Sequence, residues 1–332
     1  MAQVRARSPS RPEGRIALLG VPLGSGAPHP GCVFGPAALR AAGLKERLAA
    51  AGCKVADYGD VQVLPSLACG AGRPPNVNNY AALRAWTCAI STHAYELARS
   101  GAVPVFLGGD HSLSMGTING VARYWREMDR PLFVLWIDAH ADYNTPAITP
   151  TGNLHGMAAA FLCGEAGLDD LLAGGPRASI APDRLTLFGL RSVDSLERLL
   201  VEARPITVTS MADIAAGGAM AALESLLARV DACGGVLHVS FDVDVLDPSL
   251  APAVGTAEPG GIDLSTVLLI LERLRVSGLV RAVDVVELNP PLDDEGRTVR
   301  LTVDLIAGLL GAAATDVLAA DVLAAEGLLA VS

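Results

Sequence analysis

In the run Trp136-Ile137-Asp138-Ala139-His140-Ala141-Asp142, two carboxylates and an imidazole occupy every second position. Two other segments have the same chemical character, Gly108-Gly109-Asp110-His111 and Asp242-Val243-Asp244. Together His111, Asp138, His140, Asp142, Asp242 and Asp244 make an oxygen-rich set of metal-ligand types without sulfur. Carboxylate with imidazole suits Mn²⁺ and similar divalent ions, whereas thiolates point to structural zinc. Six side chains are too many for one ion that must keep a position open. They suit two ions that share carboxylates and a water whose pKa the pair lowers, which is hydrolytic chemistry. Taken singly, an Asp-x-Asp or a His after Gly-Gly reads as a cap or a turn. The case for metal therefore rests on convergence.

Convergence needs elements that bring these segments together. Short β-branched and apolar runs recur at Arg15–Gly20, Val55–Tyr58, Val103–Leu107, Leu132–Asp138, Leu185–Gly189, Ile206–Thr209, Val236–Asp242 and Val280–Glu287. Helical patterns lie between them, among them Pro36–Ala51, Tyr80–Ser100, Met211–Val230 and Leu264–Val276. Alternation of strand and helix predicts an α/β fold, with a mainly parallel sheet of about eight strands covered on both faces. In such a sheet ligands bind beyond the carboxyl ends of the strands. His111, the Asp138–Asp142 run, Asp242 with Asp244, and Glu287 each follow a predicted strand, so four strand ends deliver ionisable groups to one edge. The six ligand-type groups alone would be costly in one crevice without a counter-charge.

Composition narrows the partners. Apolar residues make up 51% of the 332, enough for a sizeable core, and 35 acidic against 25 basic residues leave a net charge of −10. That surplus argues against a nucleic-acid or anionic-membrane surface. The six cysteines include no CxxC pair and read as reduced thiols of a cytoplasmic protein. No uninterrupted apolar run is expected to approach a membrane span; Asp316, Asp321 and Glu326 break the stretch from Leu305 to Leu329. Residues 1–14 read as a disordered basic tail rather than a transit peptide, and residues 15–332 as one catalytic domain. Gly24-Ser25-Gly26 is no dinucleotide loop, because His29 stands where the third glycine belongs and Pro28 interrupts the turn. It reads as a loop at the mouth of the site. His29, His93 and His238 are assigned to surface, helix and strand interior.

The segments Gly108-Gly109-Asp110-His111-Ser112, Asp138-Ala139-His140-Ala141-Asp142 and Ser240-Phe241-Asp242-Val243-Asp244 resemble the three metal signatures of the ureohydrolases, the family of arginases, agmatinases and their relatives. The similarity runs from Arg15 to Gly311. It implies a three-layer α/β/α fold around an eight-stranded parallel sheet, and two Mn²⁺ per subunit hydrolysing a guanidino group to urea. Downstream, Asp142-Tyr143-Asn144-Thr145-Pro146 and Thr151-Gly152-Asn153-Leu154-His155-Gly156 are similar to the arginase segments that bind the substrate α-carboxylate. The resemblance implies that role for Asn144, Thr151 and Asn153. Arg191-Ser192-Val193-Asp194-Ser195-Leu196-Glu197 resembles the segment whose acids lie near the α-amino group, which implies Asp194 and Glu197. Thr256 joins the substrate-binding set.

Carried over residue by residue, the resemblance places one ion among His111, Asp138, Asp142 and Asp242, and the other among His140, Asp138, Asp242 and Asp244. Asp142 would carry a proton to the leaving amine, Glu287 would pair with the guanidinium, and His155 would shuttle protons at the mouth. The implied reaction is hydrolysis of L-arginine to L-ornithine and urea by a trimer or hexamer. The alternatives are a related guanidino-acid hydrolase or agmatinase, a non-catalytic metal-binding protein, and a deacetylase with a single metal. Thr151 in place of serine, Val245 in place of glycine, and Ala257-Glu258-Pro259-Gly260-Gly261 depart from the arginase pattern and bear on fine specificity.

Overall fold

A computed structural model describes residues 14–63 and 74–311. Residues 1–13, Cys69 and the apolar stretch beyond Gly311 lie outside the described residues, and with them most of the expected tail. Eight strands form one sheet: β1 (Arg15–Val21), β2 (Lys54–Asp60), β3 (Val103–Gly108), β4 (Leu132–Ile137), β5 (Leu185–Leu190), β6 (Thr207–Ser210), β7 (Val236–Asp242) and β8 (Val280–Val286). Their order is β2-β1-β3-β8-β7-β4-β5-β6, and every pairing is parallel. The expected fold class is therefore the observed one.

The helices are α1 (Gly35–Ala41), α2 (Leu44–Ala50), α3 (Tyr80–Arg99), α4 (Ser114–Glu127), α5 (Ala158–Cys163), α6 (Ser195–Glu202), α7 (Met211–Asp213), α8 (Ala219–Ala232), α9 (Leu264–Ser277) and α10 (Arg297–Leu310). Strand residues alternate between two cores, as the period of two requires. Ile16, Leu18, Val105 and Val239 meet α1, α2, α8, α9 and α10 on one face. Ala17, Leu19, Phe106 and Trp136 meet α3, α4 and α5 on the other. Each residue of β3, β4, β7 and β8, the strands that end at the ionisable groups, is buried. Strands of a doubly covered sheet are mainly apolar for this reason, with His238, Ser240, Arg281 and Asp284 as exceptions within β7 and β8.

Two helical expectations need correction. Pro36–Ala51 is two helices, divided at Gly43, whose φ of 83° lies in the left-handed region. Met211–Val230 is α7, a π-turn over Ile214–Gly218 with Gly217 at φ 85°, and then α8. Glycine is the residue that accepts such a φ without steric cost. By length and composition the stretch Met211–Ala232 could span a membrane (mean hydropathy 1.3), although Asp213, Glu224, Arg229 and Asp231 interrupt it. Its apolar content has a local explanation: Leu223, Leu226, Leu227 and Val230 pack into the core.

Candidate metal and substrate site

The chain leaves β3 through Gly108-Gly109, and Asp110 caps the short turn that leads into α4. Asp110 accepts from Ser112 N (3.0 Å) with one oxygen, and from Gly26 N (2.8 Å) and Ala27 N (3.2 Å) with the other. The loop after β1 is thereby tied to the end of β3. Two non-glycine residues at the edge adopt left-handed backbone, Asp142 (φ 49°) and Glu287 (φ 61°). Such conformations cost on the order of 1–3 kcal/mol and persist where surroundings over-determine them. Here Asp142 O accepts from Ala159 N (2.9 Å), and Glu287 N donates to Gly109 O (2.9 Å).

All six expected metal ligands meet. His111 Nδ1 lies 3.1 Å from Asp138 Oδ2, 3.1 Å from Asp142 Oδ2 and 3.0 Å from Asp242 Oδ2. It is buried, yet none of these contacts has hydrogen-bond geometry. His111 Nε2 is 2.9 Å from Ser240 Oγ, and the ring stacks on Trp136 at 4.0 Å. Trp136 in turn donates from Nε1 to Asp138 Oδ2 (2.9 Å). His140 Nδ1 lies 3.0 Å from Asp244 Oδ2 and 3.5 Å from Asp138 Oδ1. Candidate ligand atoms of His111, Asp138 and Asp142 fall within 4.8 Å of one another, as do those of Asp138, His140 and Asp244. Asp138 belongs to both groups.

Electrostatics test whether the donor set fits a cation. Burial and the charge of Asp138 push Asp142 up, and burial with Asp244 and Asp138 pushes Asp242 well up. Asp244 is raised to about 6 by burial and by Asp138. Asp138 is held down against the effect of burial by His111 and His140. Burial opposes charge on both imidazoles, but their aspartate contacts hold them above the ordinary range. Four mutually repelling, buried carboxylates with an unpaired imidazole nitrogen aimed among them fit divalent cations. The residues form a site that can hold metal.

Above this cluster opens a cleft of about 340 Å³, lined by Asn144, Thr151, Asn153, Asp194, Glu197 and Thr256, and by His155 and Glu287. The structure thus gathers every residue expected to bind substrate beside the His/Asp cluster. Asn144 Nδ2 donates to Asp194 Oδ2 (3.0 Å), while Asn144 Oδ1 is buried without a partner. Thr151 Oγ1 accepts from Asn153 N (3.2 Å), and Asn153 Oδ1 accepts from Asn78 Nδ2 (3.0 Å). Glu197 accepts from Tyr143 N (2.7 Å) and Asp194 N (3.1 Å), and burial with the charge of Asp142 raises it to about 7. Glu287 accepts from His111 N (2.8 Å) and faces His155 Nδ1 at 3.2 Å. Burial opposes charge on both members of this pair; His155 is nonetheless raised to about 9 by Glu287, and Glu287 is lowered by His155.

Several residues at the site went unassigned in the sequence. Asp110, Ser240 and Arg191 stand inside the quoted motifs, where their positions were a usable signal. Arg191 holds the strand-end chain by donating to Asp244 O (2.6 Å), Val245 O (3.2 Å) and Glu258 O (2.8 Å). Cys32 Sγ donates to Glu287 Oε2 (3.4 Å), and Glu258 Oε1 lies 3.8 Å from His140 Nε2. No spacing in the sequence points to either. His29, assigned to the surface, is exposed but lines the mouth of the cleft.

Comparison with known proteins agrees with this geometry. A family model described as the arginase family matches residues 14–311. The chain is 46% identical over 300 residues to an arginase of Agrobacterium fabrum, covering 89% of this chain and 90% of that protein. It is 44% identical over 306 residues to an arginase of Brucella melitensis, covering 90% and 97%. The crystal structure of arginase from Bacillus cereus superposes with a TM-score of 0.81 at 31% identity, covering 90% of this chain and 98% of that one.

Proposed function

Because this chain belongs to the arginase family, we propose that it hydrolyses the guanidinium group of L-arginine to L-ornithine and urea at a pair of Mn²⁺ ions. The observation that carries the reading is the pair of ligand groups sharing Asp138 at the base of a cleft lined by Asn144, Asn153 and Asp194. His111, Asp138, Asp142 and Asp242 would hold one ion, and His140, Asp138, Asp242 and Asp244 the other. When bound, the cations supply a water acidic enough to lose its proton at neutral pH and a field that stabilises developing negative charge.

The chain's own residues do the rest. Glu287, buried and fixed by His111 N, receives the guanidinium and aligns its carbon with the metal cluster. That arrival displaces His155 from Glu287 and frees the imidazole to exchange protons at the cleft mouth. Asp142 takes the proton of the attacking water and returns it to the departing amine. Asn144, Thr151 and Asn153 receive the α-carboxylate, while Asp194 and Thr256 face the amino-acid end. Glu197, both of whose oxygens already accept backbone N–H groups, acts there chiefly by fixing Asp194 and Tyr143.

Urea release from L-arginine, agmatine and guanidinobutyrate, assayed side by side, tests the substrate. The proposal expects L-arginine to have the highest kcat/KM. Preference for agmatine would remove the roles given to Asn144 and Asn153, and preference for guanidinobutyrate would remove that of Asp194. A homo-oligomer in the cytoplasm belongs to the same proposal. It is supported by exposed Leu196 and Leu199 on α6 and by free thiols at every described cysteine. Sedimentation velocity, expected to give a trimer or hexamer, tests the assembly.

A further inference from the structure

Behind His111 a line of polar side chains continues into the core between the sheet and α4. Ser240 of β7 pairs in register with Asp284 of β8, and the period of two puts His238 on the same face as Ser240. Ser114 and Thr117 reach down from α4. Ser114, Thr117, His238, Ser240 and Asp284 all have 0% exposure, although each is polar or ionisable. Groups of this kind are costly to bury unless their hydrogen bonds are made.

Hydrogen-bonding capacity gives the line a direction. Asp284 Oδ2 accepts from Ser114 Oγ (2.7 Å) and from Thr117 Oγ1 (2.9 Å). A carboxylate only accepts, so the Ser114 proton is committed to Asp284. Ser114 Oγ is then the acceptor in its 3.3 Å contact with Ser240 Oγ, which commits the Ser240 proton in turn. Ser240 Oγ is left to accept from His111 Nε2 at 2.9 Å. Each proton points away from the metal cluster, along His111 Nε2–H, Ser240, Ser114 and Asp284. His238 Nε2 sits 3.0 Å from the other oxygen of Asp284.

We propose that Asp284 is a remote positioning residue for His111, acting through the hydroxyls of Ser240 and Ser114. The relay keeps the proton on Nε2, so that the Nδ1 lone pair faces Asp138, Asp142 and Asp242. Ligating histidines commonly donate their other N–H to a carboxylate or carbonyl, which fixes the tautomer and strengthens the ligand. Here two hydroxyls stand between the histidine and its carboxylate, and the carboxylate lies on the strand next to β7. The inference rests on the reading of His111 as a metal ligand.

Full-length Ser240→Ala, Asp284→Asn and the double variant, stripped of metal and titrated calorimetrically with Mn²⁺, test it. Each single variant is expected to weaken one of the two Mn²⁺ sites by about 10–100-fold and leave the other unchanged. The double variant should match the weaker single within about twofold, because both changes cut one chain. Thr117→Val, which removes a donor to Asp284 outside the relay, should retain wild-type metal affinity even where it lowers Tm. Wild-type affinity in both singles, or losses that add in the double variant, overturns the relay. If Asp284→Asn does not fold, Ser114→Ala cuts the same line with the carboxylate retained and takes its place under the same criteria. A wild-type chain that binds no Mn²⁺ overturns the metal reading and the relay with it; two ions bound equally by wild type and variants overturn the relay alone.

Discussion

On one side of the ligand cluster His111 is 1% exposed, stacked on Trp136 and backed by Ser240. On the other, His140 is 23% exposed and faces the cleft, with Glu258 3.8 Å from its Nε2. The residue types match and the surroundings do not. The His111 side is built by the fold, since Trp136 of β4 and Ser240 of β7 touch the imidazole from the core and Ser114 of α4 backs Ser240. The His140 side is built by loops that leave room for a ligand. A site of this form separates positioning from access: one half is held by packing, and the other opens on the cleft.

Asp138 joins the halves, and its removal should have the largest effect. Asp138→Ala is expected to abolish metal retention on both sides and lower kcat/KM for L-arginine by about 10³-fold or more, roughly 4 kcal/mol of transition-state stabilisation. Metal analysis with a urea assay checks this, and retention of one full equivalent of Mn²⁺ would show that the halves are independent. The next effect sharpens the contrast between the histidines. In metal-free protein, His111→Asn leaves buried carboxylates without their partner and should cost about 3 kcal/mol, whereas His140→Asn should cost about 1 kcal/mol. Urea denaturation measures both, and equal losses would erase the distinction.

A pH experiment comes third. His111 and His140 are raised in the metal-free fold against the pull of burial, so their contribution is complete below the ordinary histidine range and fades as pH rises through the raised values. Asp244, raised to about 6 by burial and Asp138, costs stability as pH climbs from the ordinary carboxylate range through that value. Both signs run the same way, so metal-free protein should lose stability as pH rises from about 5 to 8. Metal binding displaces these protons, and the gain in Tm from saturating Mn²⁺ should be larger at about pH 8 than at about pH 6. Equal gains would contradict the charges assigned to the cluster. The smallest effect belongs to the open side: Asn153→Ala should raise KM for L-arginine about 10-fold, with kcat changed by less than about twofold and metal content unchanged. An unaltered KM would remove Asn153 from substrate recognition.

The open half was more legible in the sequence than the packed half. His140, Asn144, Asn153 and His155 lie within one stretch of sixteen residues, so spacing and resemblance reach them together. The strand ends were legible because these buried strands are mainly apolar and are followed or closed by Asp138, Asp242 and Glu287. The support of His111 was hidden. Ser240 lies 129 residues from His111, and Ser114 lies 170 residues from Asp284, so no local pattern connects them. Helix α4 escaped for a related reason, because Ser114, Thr117 and Asn119 face inward where periodicity looks for apolar residues. The breaks at Gly43 and Gly217 depend on backbone conformations that a glycine permits without demanding.

The central claim is a paired metal centre joined through Asp138. Titration of the metal-stripped full chain with Mn²⁺, read as equivalents bound, tests it most directly. The account predicts two equivalents per chain in the wild type and loss of both in Asp138→Ala. A single equivalent in the wild type would contradict it.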